Sequence, residues 1–280
     1  MYKTGHKELL VNEIDPGLTL EVIGSLCNSC ESIFVYKHAQ YAIRGQGDAD
    51  CYIDSSELSK AEQVLIEQAK ANNLNLWMLQ YKPCARTYFF VQSNDQKVYK
   101  MVVEIDLNWK PKARFLTWFK KDSVAISNLG RIRVSSKRDE AMASIFYYYV
   151  GRPSESIPDR EKRLIGQLDV EDWKNIRERI ANLGFPFGTW CSRLVHPDKI
   201  ESLGHPLNRM TANALAVLSA VIREPIGVTE EILWRGSSKR HGLKLFSSVF
   251  ITKAKRSISF VGGYDVFRVL IKNAGGRGIV

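Results

Sequence analysis

Apolar and polar residues recur with two different periods along this chain, and the change of period divides it. Residues 18–40 read mainly as helix, with Leu18, Val22, Leu26, Ile33 and Phe34 as its apolar positions. Tyr41–Ile43 reads as a short strand running into Arg44-Gly45-Gln46-Gly47, where two glycines permit a tight turn. Residues 50–54 are the next expected strand. Ser55 and Ser56 then open a helix through Asn72, with Leu58, Ala61, Leu65 and Ala69 at helical spacing. Leu74–Leu79, Thr87–Gln92 and Val98–Leu107 read as three strands, the last two joined by a Ser-Asn-Asp-Gln turn. From Ser135 or Ser136 the period becomes helical through Val150, where Gly151-Arg152-Pro153 stops it. Further helices are expected at 159–168, 170–182 and 207–223. The pattern predicts an α/β (α+β) fold, a mixed sheet with flanking helices followed by a mostly helical C-terminal part. The expected divisions are residues 1–135, 136–234 and 235–280.

Candidate chemistry lies on two of the expected strands. Asp48 and Asp50, in Gly45-Gln46-Gly47-Asp48-Ala49-Asp50, stand two residues apart, so they project from one face of a strand. Asp106, in Val102-Val103-Glu104-Ile105-Asp106-Leu107, lies on a later strand of the same expected sheet. If those strands are neighbours, three carboxylates converge. Three unneutralised acids repel one another, and a divalent cation is their natural occupant. Magnesium takes one or two carboxylates together with substrate phosphates, which points to phosphate or nucleotide chemistry. Glu104, two residues before Asp106, is either an additional ligand or an exposed acid.

The stretch Tyr41-Ala-Ile-Arg-Gly-Gln-Gly-Asp-Ala-Asp-Cys-Tyr-Ile53, followed by Val102-Val-Glu-Ile-Asp-Leu-Asn-Trp109, resembles the nucleotidyltransferase superfamily with the DNA polymerase beta fold. More narrowly it is similar to nucleotidyltransferase-like proteins associated with bacterial surface-polysaccharide synthesis. The resemblance covers residues 20–150 at most. It implies a nucleotidyltransferase-like core in residues 1–135. It also implies Asp48, Asp50 and Asp106 as ligands of Mg2+ or Mn2+, with Asp106 also activating the acceptor hydroxyl. Arg44, Gly45, Gln46 and Gly47 would then bind the nucleotide, a nucleoside triphosphate, and the acceptor would be a sugar or a phosphorylated compound. The family commonly carries Gly-Ser or Gly-Gly well before its first acid, whereas here Gly45-Gln46 lies directly beside it. A second reading is therefore an inactive module of this family, and a third is an Asp-x-Asp glycosyltransferase.

Charge changes the picture at the far end. The chain of 280 residues carries a net charge of +10. Residues 235–280 hold ten Lys or Arg and one acid, Asp265, and so account for +9 of it. A field of that sign favours an anionic partner. Phe246, Val249, Phe250, Ala254, Ile258 and Val261 would share one face of a helix flanked by Lys244, Lys253, Lys255 and Arg256. Such a helix would lie on an anionic membrane surface or on the protein itself; nucleic acid ranks behind these because no groove-reading architecture is evident. No apolar run reaches the ~20 residues of a membrane helix, and Met1–Glu8 has no apolar signal core. The expected location is therefore cytoplasmic, with membrane association through the tail. Five irregularly spaced cysteines fit a reducing compartment. Cys27-Asn-Ser-Cys30 has no second pair to complete a zinc site. Among the basic residues, Arg86, Lys100, Lys137 and Arg138 are weaker phosphate candidates, and Trp109 and Trp118 are expected to pack a domain junction.

Overall fold

Asp15 starts the first helix. Its side chain accepts from the Leu18 N–H at 3.0 Å and Pro16 occupies the first turn, where no N–H is needed. In the computed structural model, which describes residues 9–82, 84–93, 98–113, 115–152, 156–233 and 257–260, this helix α1 is Pro16–Ser29 and follows a short strand β1, Leu9–Asn12. It ends at Cys30, whose backbone is extended. Ile33 and Phe34 do not continue it. They belong to the entirely buried run into strand β2, Phe34–Lys37, so the single helix expected over 18–40 is a helix and a strand. β-branched and aromatic side chains fill a buried sheet position better than a helix flank; their spacing from Leu26 was coincidental. The strand expected at Tyr41–Ile43 is likewise a helical turn, α2, Ala39–Ala42. His38 adopts a left-handed conformation (φ 58°) and breaks the extended chain before it.

Then come β3 (Ala49–Tyr52), α3 (Leu58–Ala71) and three longer strands, β4 (Asn75–Lys82), β5 (Ala85–Ser93) and β6 (Val98–Asn108). β4, β5 and β6 are antiparallel neighbours. β6 gives its other edge to two parallel strands, first β1 at residues 98–101 and then β3 at residues 105–108. β2 closes on β3 antiparallel. The sheet is mixed. One of its faces, carrying Cys51, Ile105 and Leu107, is covered by α1 and α3, whose Ala61, Leu65, Val22 and Leu26 are buried.

The chain divides into two compact units. One comprises residues 1–109, 130–132 and 233–280, the other 110–129 and 133–232. The second begins with two short paired strands, β7 (Lys112–Ala113) and β8 (Leu116–Thr117), and takes in β9 (Ile126–Leu129) and most of β10 (Ile132–Ser135). Helices follow: α4 (Lys137–Ser144), a π-helical turn over Ile145–Gly151, α5 (Asp159–Gly166), α6 (Val170–Ala181), α7 (Phe187–Cys191), α8 (Ile200–Gly204), α9 (Pro206–Arg223) and α10 (225–233). Ser136 caps α4 and Asp169 forms a capping box with Asp172 on α6. Widening a helix to the π form strands carbonyls that need other donors. Arg209 supplies one to Tyr148 O at 2.7 Å, and Asn213 one to Val150 O at 2.8 Å, both from α9. Trp118 stacks on Phe146 at 4.8 Å within this unit.

Strand β11, Ser257–Phe260, pairs antiparallel with β4. Ile258 therefore lies in a strand rather than on the expected helical face, because Ser-Ile-Ser-Phe alternates with the period of a strand. The other residues of that expected face fall outside the described residues. Among the described residues, no helix is long and apolar enough to cross a membrane.

Candidate metal centre

The acids meet through strand register. β3 lies parallel to β6 with Asp50 directly opposite Asp106, and Asp48 precedes β3 by one residue on the same side. One carboxylate oxygen from each of Asp48, Asp50 and Asp106 lies within 4.8 Å of the others. Asp50 and Asp106 are only 7% and 8% exposed, and Asp48 is half-buried. The Asp50 charge, and then burial, hold the Asp48 carboxyl above the usual carboxylate range, while Lys37 pulls it the other way.

The same register extends in both directions. On β5, Thr87 pairs with Asp106, and its hydroxyl donates to Asp106 Oδ1. On β2, Lys37 pairs with Asp50, and its Nζ lies 3.2 Å from Asp50 Oδ2. Thr87, Asp106, Asp50 and Lys37 thus form one row across four strands, all buried. A bulge between Val35 and Lys37 produces this alignment. Regular pairing would set Tyr36 against Asp50; the extra residue brings Lys37 there instead. The row lies on the face opposite Cys51 and Leu107. Carboxylate oxygens from three side chains are hard donors, and Lys37 offsets only part of the repulsion between Asp48 and Asp50. This donor set fits a small divalent cation.

The turn before the acids is built for close packing. Gly45 has φ 71°, and a Cβ there would lie 2.9 Å from Ile14 O; any side chain would collide. Gly47 has φ 151°, with nothing within 4 Å of its missing Cβ. The N–H groups of Arg44, Gly45 and Gln46 already donate to carbonyls of Tyr41 and Ala42. Towards solvent the turn presents the Arg44 and Gln46 side chains, both exposed.

The remaining candidates are placed elsewhere. Arg86 lies on the opposite sheet face, where it and Tyr88 both bond Glu62 and its guanidinium sits 5.7 Å from the Trp109 ring. Tyr88 is raised above the ordinary phenol range, by burial first and then by Glu62. Lys100 pairs with Glu13 at 2.7 Å, and Lys137 donates to Gln167 O at 2.9 Å. Arg138 lies in the first turn of α4, next to Lys137. Glu104 is half-buried and is not among the three converging acids. Cys27 and Cys30 sit at the end of α1 and are not joined in a disulfide.

Two residues of the centre were missed from the sequence. Lys37 closes the apolar run Ile33-Phe34-Val35-Tyr36, and a charge ending a buried strand was the available signal. Thr87 carries no local signal, since only the register of β5 on β6 selects it.

No protein-family model matches the chain, and no curated protein matches it. Among solved structures, JHP933 from Helicobacter pylori, known from a crystal structure, is similar over 78% of this chain and 95% of its own, at 9% identity and a TM-score of 0.37. That likeness is too loose to support an argument about fold or activity.

Proposed function

We propose that the protein is a divalent-cation-dependent nucleotidyltransferase-like enzyme. It would transfer a nucleotidyl or phosphoryl group from a nucleoside triphosphate to a sugar-containing or phosphorylated acceptor, in keeping with surface-polysaccharide synthesis. The observation that carries this reading is the register of Asp50 on Asp106, with Asp48 close enough for all three to share one ion. The resemblance of residues 41–53 and 102–109 to that superfamily supplies the reaction class.

Asp48, Asp50 and Asp106 would hold Mg2+ or Mn2+. A cation there polarises phosphate oxygens and stabilises charge on the attacking and leaving oxygens. Asp106 would accept the proton of the acceptor hydroxyl as its oxygen bonds to phosphorus and the phosphorus–oxygen bond to the leaving group breaks. The Thr87 hydroxyl fixes the plane of that carboxylate through Oδ1, so the base is oriented before substrate arrives. Arg44 would take a phosphate of the nucleotide from the exposed side of the turn.

The test pairs binding with turnover. Mn2+ binding by calorimetry and pyrophosphate release from a panel of nucleoside triphosphates with sugar and sugar-phosphate acceptors are measured for the wild type, Asp50→Asn and Asp106→Asn. The expected result is loss of Mn2+ binding in Asp50→Asn and loss of transfer in Asp106→Asn, with both proteins folded. Undiminished transfer in Asp106→Asn would sink the proposal.

A further inference from the structure

We propose that Lys37 makes cation entry conditional on a phosphate-bearing ligand, by weakening the trio's hold on a free divalent cation and strengthening its hold on one already bound to phosphate. The inference rests on the cation-site reading above and adds a residue that reading does not require.

Its basis is the placement of the ammonium. The Lys37 side chain is 7% exposed and lies 3.2 Å from Asp50 Oδ2, so it sits inside the centre rather than at its rim. Lysine is almost never buried unless paired, and here its carboxylate partner is itself a proposed ligand. The bulge in β2 is the device that puts it there; bulges commonly re-aim a side chain beside a functional site.

The consequence follows from charge. A fixed ammonium beside Asp50 offsets part of the negative potential that would draw in a bare cation, and it repels that cation directly. Three carboxylates facing a divalent cation and one ammonium are already neutral, so the free ion gains little further from the site's field. A polyphosphate changes the balance, because it brings negative charge that both the cation and the ammonium can meet. Lys37 opposes one ligand and favours the other. A purely structural lysine would affect both alike.

The experiment measures two titrations by calorimetry on the full chain, Mn2+ alone and a preformed 1:1 complex of Mn2+ with tripolyphosphate. They are run on wild type, Lys37→Met, Lys37→Gln and Lys37→Arg. Lys37→Gln keeps a donor for Asp50 without the charge and serves if Lys37→Met does not fold. The neutral variants should bind Mn2+ alone about tenfold more tightly and the tripolyphosphate complex about tenfold more weakly, while Lys37→Arg keeps the wild-type order. If the neutral variants bind Mn2+ alone no more tightly than the wild type does, or if both affinities move in the same direction, Lys37 has no such role and the inference fails while the cation site stands. If wild type binds Mn2+ in neither form, the cation site itself is wrong and the inference falls with it.

Discussion

Both units bury carboxylates, but they answer them differently. Among the described residues of the helical unit, each buried acid has a cation beside it. Asp139 is bonded by Arg179 and also accepts from the Ser136 hydroxyl and the Ala125 N–H. Glu161 accepts from Arg160 at 2.9 Å and from the Ser144 hydroxyl at 2.6 Å, and Glu231 pairs with Lys112 at 3.3 Å. In the sheet unit Asp48, Asp50 and Asp106 converge with Lys37 inside the cluster, and Asp48 is held above the ordinary carboxylate range by its neighbour's charge. The first arrangement is finished. The second sets three carboxylates around one ammonium, a group that could hold a cation.

The sharpest way to break this contrast is to remove one partner on each side. Arg179→Ala strands Asp139, which is buried with its cation gone, and should cost about 3–5 kcal/mol of stability by urea unfolding. Asp48→Asn should do the reverse in cation-free buffer, because it relieves repulsion rather than breaking a pair. A similar loss in both variants would show that the trio is a structural network like the one around Asp139.

Adding the missing charge is the next test. With Mg2+ or Mn2+ at about 100 times its dissociation constant, a site present only in the folded protein adds ~2.7 kcal/mol, read as a rise in melting temperature. Asp50→Asn should abolish the rise, whereas Arg179→Ala should keep whatever fraction of it survives folding. Thr87→Val comes third. It removes one hydrogen bond to a carboxylate and should lower stability by about 1.5 kcal/mol, with a weaker response to the cation because Asp106 loses its fixed plane.

How far these features could be read in advance depends on whether they are local. Alternation in β4, β5 and β6 is a property of each strand alone, and those strands stand where the pattern puts them, extended by one to three residues at most ends. The i, i+2 spacing of Asp48 and Asp50 is local too, and so is the helical pattern from Ser136 to Arg223. Lys37 is different. It meets Asp50 only because β2 pairs with β3 and carries a bulge at Tyr36; the apolar run before it marks a buried strand, but neither the pairing nor the bulge is written locally. The helical spacing of Leu26, Ile33 and Phe34 hid the strand, and the left-handed His38 hid the turn after it. Thr87 lies 19 residues from Asp106 along the chain, and register alone joins them. The acids of the centre were legible; what balances and orients them was tertiary.

The smallest effect expected is also the one that isolates the trio's charge. Asp48 binds its proton more tightly in the folded chain than in the unfolded one, chiefly because of Asp50 and then because of burial. From the ordinary carboxylate value upward to its raised value the folded state therefore holds more protons, and stability falls as pH rises through that window. Most buried acids do the opposite, since a paired carboxylate is stabilised once it ionises. Lys37 offsets part of the repulsion, which keeps the effect small. Chemical denaturation of the wild type and Asp48→Asn at closely spaced pH values should show this component in the wild type alone, and a saturating divalent cation should remove it by giving the deprotonated acid a partner. If the two proteins lose and gain stability in parallel across the acid range, the three carboxylates are not in mutual repulsion. Asp48 would then be no different in kind from Asp139.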